Sequence, residues 1–222
     1  MNRSVFWALV RKDLYLLRGF IVAMLVVGVG SWLLMGQGGR AFAVGGLLFL
    51  TANVAGGIFI AIYSLLTERR ELARLFALSL PVSGKAYNLA KIVAALAAFG
   101  IPWALLTALG LMGILFGGGG QPGMLVYGVL IQVFILAMFT VVLASLFAIA
   151  TEAASGVVIL GVNIGFSLFM MQINQPQILT PWKGTGIVWT PFARNMLAGE
   201  ILVTLLALGL ILLLNSRRRD HV

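Results

Sequence analysis

The chain has 222 residues, of which 61% are hydrophobic and 9% are charged, and its formal net charge is +9. A soluble domain is about half apolar, so this excess indicates a membrane protein. The sequence has no cysteine, which excludes disulfides and thiolate metal sites, and its single histidine, His221, is interpreted as a solvated tail residue.

The first segment, residues 3–18 ("RSVFWALVRKDLYLLR"), has helical spacing. Phe6 and Leu9 share one side with other apolar residues, and Arg11 lies on another, although Asp13 interrupts the apolar face. This pattern predicts an elbow helix that lies flat on the inner leaflet, with its basic residues near anionic lipid. The alternative is a cytoplasmic extension of the first membrane crossing.

A cleaved signal peptide is a competing interpretation of the N-terminus, because "AFA" at 41–43 resembles a cleavage site. Against it, the basic region before the apolar run is about 18 residues long, and the run exceeds the usual length of about 7–15 residues.

Uncharged runs long enough to cross a membrane recur along the chain, since a membrane helix needs about 20 apolar residues. Twenty-one uncharged residues separate Arg18 from Arg40. Sixty uncharged residues separate Lys91 from Glu152, and the turn "GGGGQPG" lies near the middle of this second run. The sequence predicts an all-α integral membrane protein that forms one permease-like domain over 1–222. Its six crossings are expected at 19–36, 41–66, 91–116, 124–150, 153–173 and 196–214.

The distribution of Lys and Arg predicts the orientation, because short cytoplasmic loops are enriched in these residues. With the N-terminus inside, twelve of them lie in inner segments and three in outer segments. The three outer residues are Arg40, Lys183 and Arg194. Both termini are therefore expected in the cytoplasm, and the basic balance indicates topology and not a nucleic-acid partner.

Six charged residues are concentrated between Glu68 and Lys85 ("ERRELARLFALSLPVSGK"). Residues 68–80 are predicted to form an amphipathic helix, with leucines on one side and Glu71 and Arg74 on the other. Pro81 ends the helix, and Ser83 is a candidate N-cap for the next one. The segment is either a solvated loop with basic residues or a docking surface for a cytosolic partner.

The stretch "TERRELARLFALSLPVSGKAYNLAK", together with the six-crossing plan, resembles the permease subunits of type-two ABC exporters. The resemblance implies that 68–80 is a coupling helix that docks on a separate cytosolic P-loop ATPase subunit, which carries the ATP and Mg²⁺. It also implies a second permease half, identical or related, and a location in the bacterial plasma (inner) membrane. The docking residues would be Glu68, Arg69, Arg70, Glu71, Arg74, Leu80, Pro81 and Ser83.

This chain is not expected to be an enzyme or to bind a cofactor. A P-loop requires G-x-x-x-x-G-K-[ST], but at the Gly84–Lys85 pair Ser79 stands in place of the first glycine, and Ala86 follows the lysine.

The outer segment between Asn174 and Asn195 contains two Thr-Pro-aromatic units, which are typical helix starts. Its aromatic residues Trp182, Trp189 and Phe192 suit the headgroup layer. Short re-entrant helices that dip into the outer leaflet are predicted before the sixth crossing. A flexible outer loop is the alternative.

Four polar residues lie at membrane depth: Asn53, Gln132, Asn163 and Ser167. They either line a translocation path or form hydrogen bonds between helices. Glu200, near the outer end of the sixth crossing, is a candidate outer-gate residue together with Arg194, or one partner of an ion pair with Arg194 or Lys183. Two patterns of small residues, 113–117 and 161–165, are weak candidates for close helix packing.

The resemblance implies ATP-driven export, and the near-absence of charge within the crossings suggests a hydrophobic or amphipathic cargo, such as a lipid, drug or peptide. An integral-membrane enzyme is one alternative, but the sequence offers it no polar catalytic cluster. An ATP-independent carrier or channel is the other, and it would normally show charged residues in mid-membrane or internal repeats.

Overall fold

The computed structural model describes residues 3–67, 83–116, 122–149, 152–184 and 186–217. In these ranges all regular secondary structure is helical, and six helices are long and apolar enough to cross a membrane. They are α1 (Arg3–Met35), α2 (Gly39–Ile62, continued by the π-helical turn Tyr63–Thr67), α3 (Gly84–Phe116), α4 (Met124–Ile149), α5 (Glu152–Ile173) and α6 (Pro191–Arg217). The prediction of an all-α fold with six candidate membrane spans is confirmed.

One end of the bundle carries Arg3, Lys85 and Arg217, and we call it the basic end. At this end the side chain of Asn215 reaches the backbone of Lys85. The short connection 36–38 and the segment 174–190 lie at the opposite end. The described residues on either side of the charged segment 68–82, Thr67 after α2 and Ser83 before α3, lie at the basic end.

The first helix differs from the predicted pair of elbow helix and crossing. α1 is continuous over 33 residues, about 50 Å, with no break near residue 18. Its apolar side at the basic end packs against α3, where Leu9 and Val10 meet Ala90 and Ala94. This contact buries Leu9 and Val10 within the chain, and α1 has no break that separates an elbow helix from the first crossing.

Glycines allow the first three helices to approach closely. A Cβ atom on Gly45 of α2 would lie 2.6 Å from the backbone oxygen of Ser31 in α1. Between α1 and α3, a Cβ on Gly28 would meet Leu106, and one on Gly113 would lie 2.7 Å from the indole nitrogen of Trp32. Small residues at these crossings bring helix backbones together where there is no water to drive packing.

The fourth helix lies at the centre of the bundle and is the most buried span. α4 contacts α2, α3, α5 and α6, and its contact with α6 is the largest of these. α5, in contrast, packs mainly on α4, and most of its length is exposed. Gly161 and Gly165 of α5 have open space around them, so this predicted small-residue pattern makes no close contact within the chain.

The segment before α6 contains a short helix at Pro176–Leu179 and a 3₁₀ turn at Thr180–Trp182. The hydroxyl of Thr190 accepts a hydrogen bond from the backbone N–H of Ala193 at 3.1 Å, so the second Thr-Pro-aromatic unit starts a helix as predicted. Trp182 was expected among lipid headgroups, but it is fully buried and packs near Tyr127 of α4. The indole is covered because this segment folds back onto α4.

Candidate functional site

Seven of the eight predicted docking residues lie outside the described residues, within 68–82. The eighth, Ser83, is exposed and precedes α3. Its hydroxyl accepts a hydrogen bond from the backbone N–H of Ala86 at 3.4 Å. Ser83 therefore caps α3, as its position after the Pro81 stop predicts.

A buried lysine holds together the two helices that flank segment 68–82. Lys91 of α3 donates a hydrogen bond from Nζ to the backbone oxygen of Ser64 at 3.1 Å. Ser64 belongs to the π-helical turn that ends α2, and Lys91 also lies over the ring of Tyr87, with Nζ 5.4 Å from the centroid. We call this contact the Lys91 clasp. Single π-helical turns leave carbonyl groups that need such partners, and they recur at functional sites.

The last turn of α6 joins the same region. Asn215 is buried, and its side-chain amide donates to the backbone oxygen of Lys85 at 3.3 Å. The first turn of α3 is thus held by its own serine cap and by the end of α6. Sequence reasoning missed Asn215, and the only available signal was an amide directly after the apolar run 205–214.

Asp13, which interrupts the apolar face of residues 3–18, is buried on the side of α1 that faces α3. Its carboxylate lies 3.4 Å from Lys12 Nζ. The Asp13 charge on this side of α1 is compatible with packing against another part of the protein at the basic end. The facing helix, α3, also buries a charged residue there, Lys91.

The structure does not bring the four predicted path residues together. Gln132 of α4 joins α3: its side-chain oxygen accepts from the Thr107 hydroxyl at 3.2 Å, and its backbone oxygen accepts from the Trp103 indole at 3.0 Å. Asn163 and Ser167 are exposed on α5. Gln132 therefore ties two helices together, as the hydrogen-bonding alternative expects.

Asn53 lies in a different place, at the floor of a small cavity of about 10 Å³. Its side chain is fully buried, and its amide nitrogen donates to the backbone oxygen of Phe49 at 2.9 Å. Its side-chain oxygen has no hydrogen-bond partner within the described part of the chain. This unpartnered side-chain oxygen is the polar group of a cavity whose other lining residues are apolar.

The predicted contact between Glu200 and Arg194 is not formed. Glu200 is 6% exposed on the stripe of α6 that also carries the buried residues Ala193 and Ala207, and α6 packs mainly on α4. Neither carboxylate oxygen has a hydrogen-bond partner among the described residues. Arg194 is exposed. Six residues along a helix correspond to about 600° of rotation, or 240° on the wheel, so the two side chains leave α6 in different directions.

Replacing Glu200 with methionine should raise the melting temperature of the purified protein by a few degrees. The change removes two buried, unpartnered oxygens, each of which costs roughly 1–3 kcal/mol, and it retains most of the volume. Glu200→Gln is the control, because an amide leaves the polar atoms buried and should give a smaller gain. A lower melting temperature for the methionine variant would mean that Glu200 has a partner in the folded protein.

Among the described residues no group of three His, Cys, Asp or Glu side chains is placed to hold a metal ion. The chemistry of the bundle thus lies in isolated polar groups: the Lys91 clasp, the Gln132 bridge, the Asn53 cavity and the Glu200 carboxyl.

No protein-family model matches this chain, and neither the curated proteins nor the solved structures include a match to it. The six apolar helices define its class as a multi-pass α-helical membrane protein.

Proposed function

We propose that the chain is the membrane-spanning subunit of an ATP-driven exporter of the type-two ABC class. In this proposal segment 68–83 docks on a separate cytosolic P-loop ATPase, which holds ATP and Mg²⁺. The observation that carries the proposal is the charged, leucine-rich segment with its Leu-Pro stop, set between the second and third spans of a six-span bundle. The orientation it requires, with both termini and segment 68–83 in the cytoplasm, rests on the bias of Lys and Arg.

The way the ends of this segment are held supports a mechanical role. A docked ATPase can move a membrane helix only if the docking segment is joined firmly to it. The Lys91 clasp fixes the end of α2 to α3, and the Ser83 cap and Asn215 fix the first turn of α3. Movement of segment 68–82 by a docked ATPase would thus be transmitted to α2, α3 and α6 together.

The exposed face of α5 supports the second permease half. Asn163 and Ser167 lie one helical turn apart, and both are exposed in the single chain. The amide nitrogen of Asn163 donates to the backbone oxygen of Ile159 within its own helix. Polar side chains in a bilayer favour contact with other protein groups over lipid tails, so a second subunit covering this face would stabilise them.

The cargo is proposed to be hydrophobic or amphipathic. The interior consists of a large apolar cluster and a smaller one between α1 and α3, with a few buried polar residues scattered among them. An ion or sugar path would need a chain of polar groups to replace hydration, and the four candidates do not form one.

Glu200 favours a second candidate function, an ATP-independent carrier. A buried carboxyl group within a membrane span is a common feature of ion-coupled carriers. This function predicts transport by the reconstituted chain without ATPase or nucleotide, and loss of that transport in Glu200→Gln.

The test of the proposed function co-expresses the chain with each P-loop ATPase subunit of its host and identifies the one that co-purifies with it. Glu71→Ala combined with Pro81→Ala should reduce the co-purified ATPase at least about tenfold, since removal of an interface hot spot costs about 2 kcal/mol. Arg217→Gln is the control, because it removes a charge at the basic end outside the docking segment. Unchanged co-purification in the double variant would contradict the proposal, and so would the absence of ATP-dependent transport by the wild-type pair.

A further inference from the structure

The cavity at Asn53 is a notch in the side of the bundle, formed by α2, α3, α4 and α5. Its floor is buried, and its rim residues are half-buried, so the notch is partly open at its rim. The rim residues are Val54, Ile58, Met138 and Val162. Since α5 packs mainly on α4, its contribution to the rim, Val162, belongs to a lightly held helix.

The floor offers one hydrogen-bond acceptor and no charge. The side-chain oxygen of Asn53 has no partner among the described residues, while the amide nitrogen is already bonded to Phe49. A buried acceptor that has lost its hydrogen bond to water and gained none in the protein destabilises the folded state. A group that brings a single N–H or O–H into the notch would recover this free energy.

A glycine keeps the floor open. A Cβ atom on Gly57, one turn after Asn53, would lie 3.0 Å from the Phe99 ring and 3.3 Å from the Phe139 ring. These two rings are stacked, with centroids 4.0 Å apart, and are buried. A side chain at position 57 would therefore push the rings or fill the space beside Asn53.

We propose that the notch binds, from the bilayer, the hydroxyl end of a neutral lipid-soluble alcohol. The space of about 10 Å³ accepts one group the size of water, so the hydroxyl enters and donates to Asn53, while the apolar remainder lies along the rim in the lipid. Water itself fits poorly, because it needs two to four polar partners and the lining supplies one. An ammonium group would lose its hydration without a counter-charge, and a carboxylate has no proton to donate.

This inference rests on the proposed function only in treating the bound alcohol as cargo. Binding to the notch requires the described bundle alone, with neither ATPase nor nucleotide. An experiment on the purified chain therefore separates failure of the site from failure of the exporter proposal.

The experiment is photolabelling of the full chain in phosphatidylcholine nanodiscs with a diazirine-bearing octanol, compared with the matching diazirine alkane. The alcohol should place adducts on peptides that carry the rim residues, at least about fivefold above the alkane, as expected for one recovered hydrogen bond. Octanol should compete, and octane should not. Equal labelling by the two probes, or adducts spread evenly over all lipid-facing peptides, would overturn the proposal.

Asn53→Leu should remove the preference for the alcohol and raise the melting temperature, because the unmet acceptor is gone. Asn195→Leu is the matched control, an identical substitution at an exposed amide on α6, which does not line the notch, and it should label like wild type. Gly57→Ala provides a second variant that retains Asn53 but narrows the floor, and it should also lose rim labelling. Retention of wild-type labelling in both Asn53→Leu and Gly57→Ala would overturn the proposal.

Discussion

Replacing Gly45 with valine should prevent correct packing of α1 against α2 and leave little monodisperse protein after purification. A Cβ on Gly45 would lie 2.6 Å from the backbone oxygen of Ser31 and 2.8 Å from the backbone nitrogen of Met35. Both atoms belong to the α1 helix backbone, so no side-chain rotation can make room and the two helices must separate. Overpacking typically costs about 1–3 kcal/mol, and we expect this contact to exceed that range.

The adjacent glycine supplies the control. Gly46 has no atom within 4 Å of its would-be Cβ, so valine there meets open space and should leave the melting temperature close to that of wild type. The measurement is size-exclusion chromatography followed by thermal unfolding in the same detergent. Equal behaviour of Gly45→Val and Gly46→Val would mean that the α1–α2 contact does not limit stability.

The number of spans and the helix caps could be predicted from the sequence, because both depend on residues that are close together in the chain. A span depends on about 20 successive apolar residues, and a cap depends on a hydroxyl three residues before a backbone N–H. Ser83 and Thr190 therefore behave as their sequence neighbourhood indicates. Such features need no knowledge of what packs against the helix.

Features that depend on which side of a span faces protein were not predictable. A span that faces lipid on one side and protein on the other is apolar on both, so it has no amphipathic pattern to orient it. For this reason Asn53, Gln132 and Asn163 resemble one another in the sequence, although the first lines a cavity, the second bridges α3 and α4, and the third is exposed.

The same limit explains the first helix and the buried indole. An apolar stripe over residues 3–18 fits either a membrane surface or a neighbouring helix, and only the position of α3 decides between them. Trp182 has the composition of a headgroup anchor, but its burial depends on the chain folding back over Gly123 and Tyr127. Both outcomes come from contacts between residues far apart in the sequence.

Replacing Lys91 with methionine should open the Lys91 clasp and weaken the joint between α2 and α3. The unbranched methionine retains much of the apolar stem but loses the 3.1 Å bond from Nζ to the Ser64 backbone oxygen. A buried hydrogen bond to a charged group is worth about 1.5–3 kcal/mol, and its loss leaves a carbonyl unmet in a helical turn that is already irregular. Lys183→Met is the control, because it is the same substitution at an exposed lysine at the opposite end of the bundle.

The measurement that isolates the clasp is amide hydrogen exchange of the end of α2 in nanodiscs, because local opening raises exchange where a helix loses its tether. The amides of the π-helical turn Tyr63–Thr67 should exchange at least about tenfold faster in Lys91→Met than in Lys183→Met, as loss of about 1.4 kcal/mol predicts. If the proposed ATPase docks on segment 68–83, Lys91→Met should still bind it but should support less transport. The reason is that movement of the docking segment is no longer transmitted fully between α2 and α3 once their hydrogen bond is lost. Unchanged exchange in the turn would show that the end of α2 is held by other contacts, and then the clasp could not be the link between docking and movement.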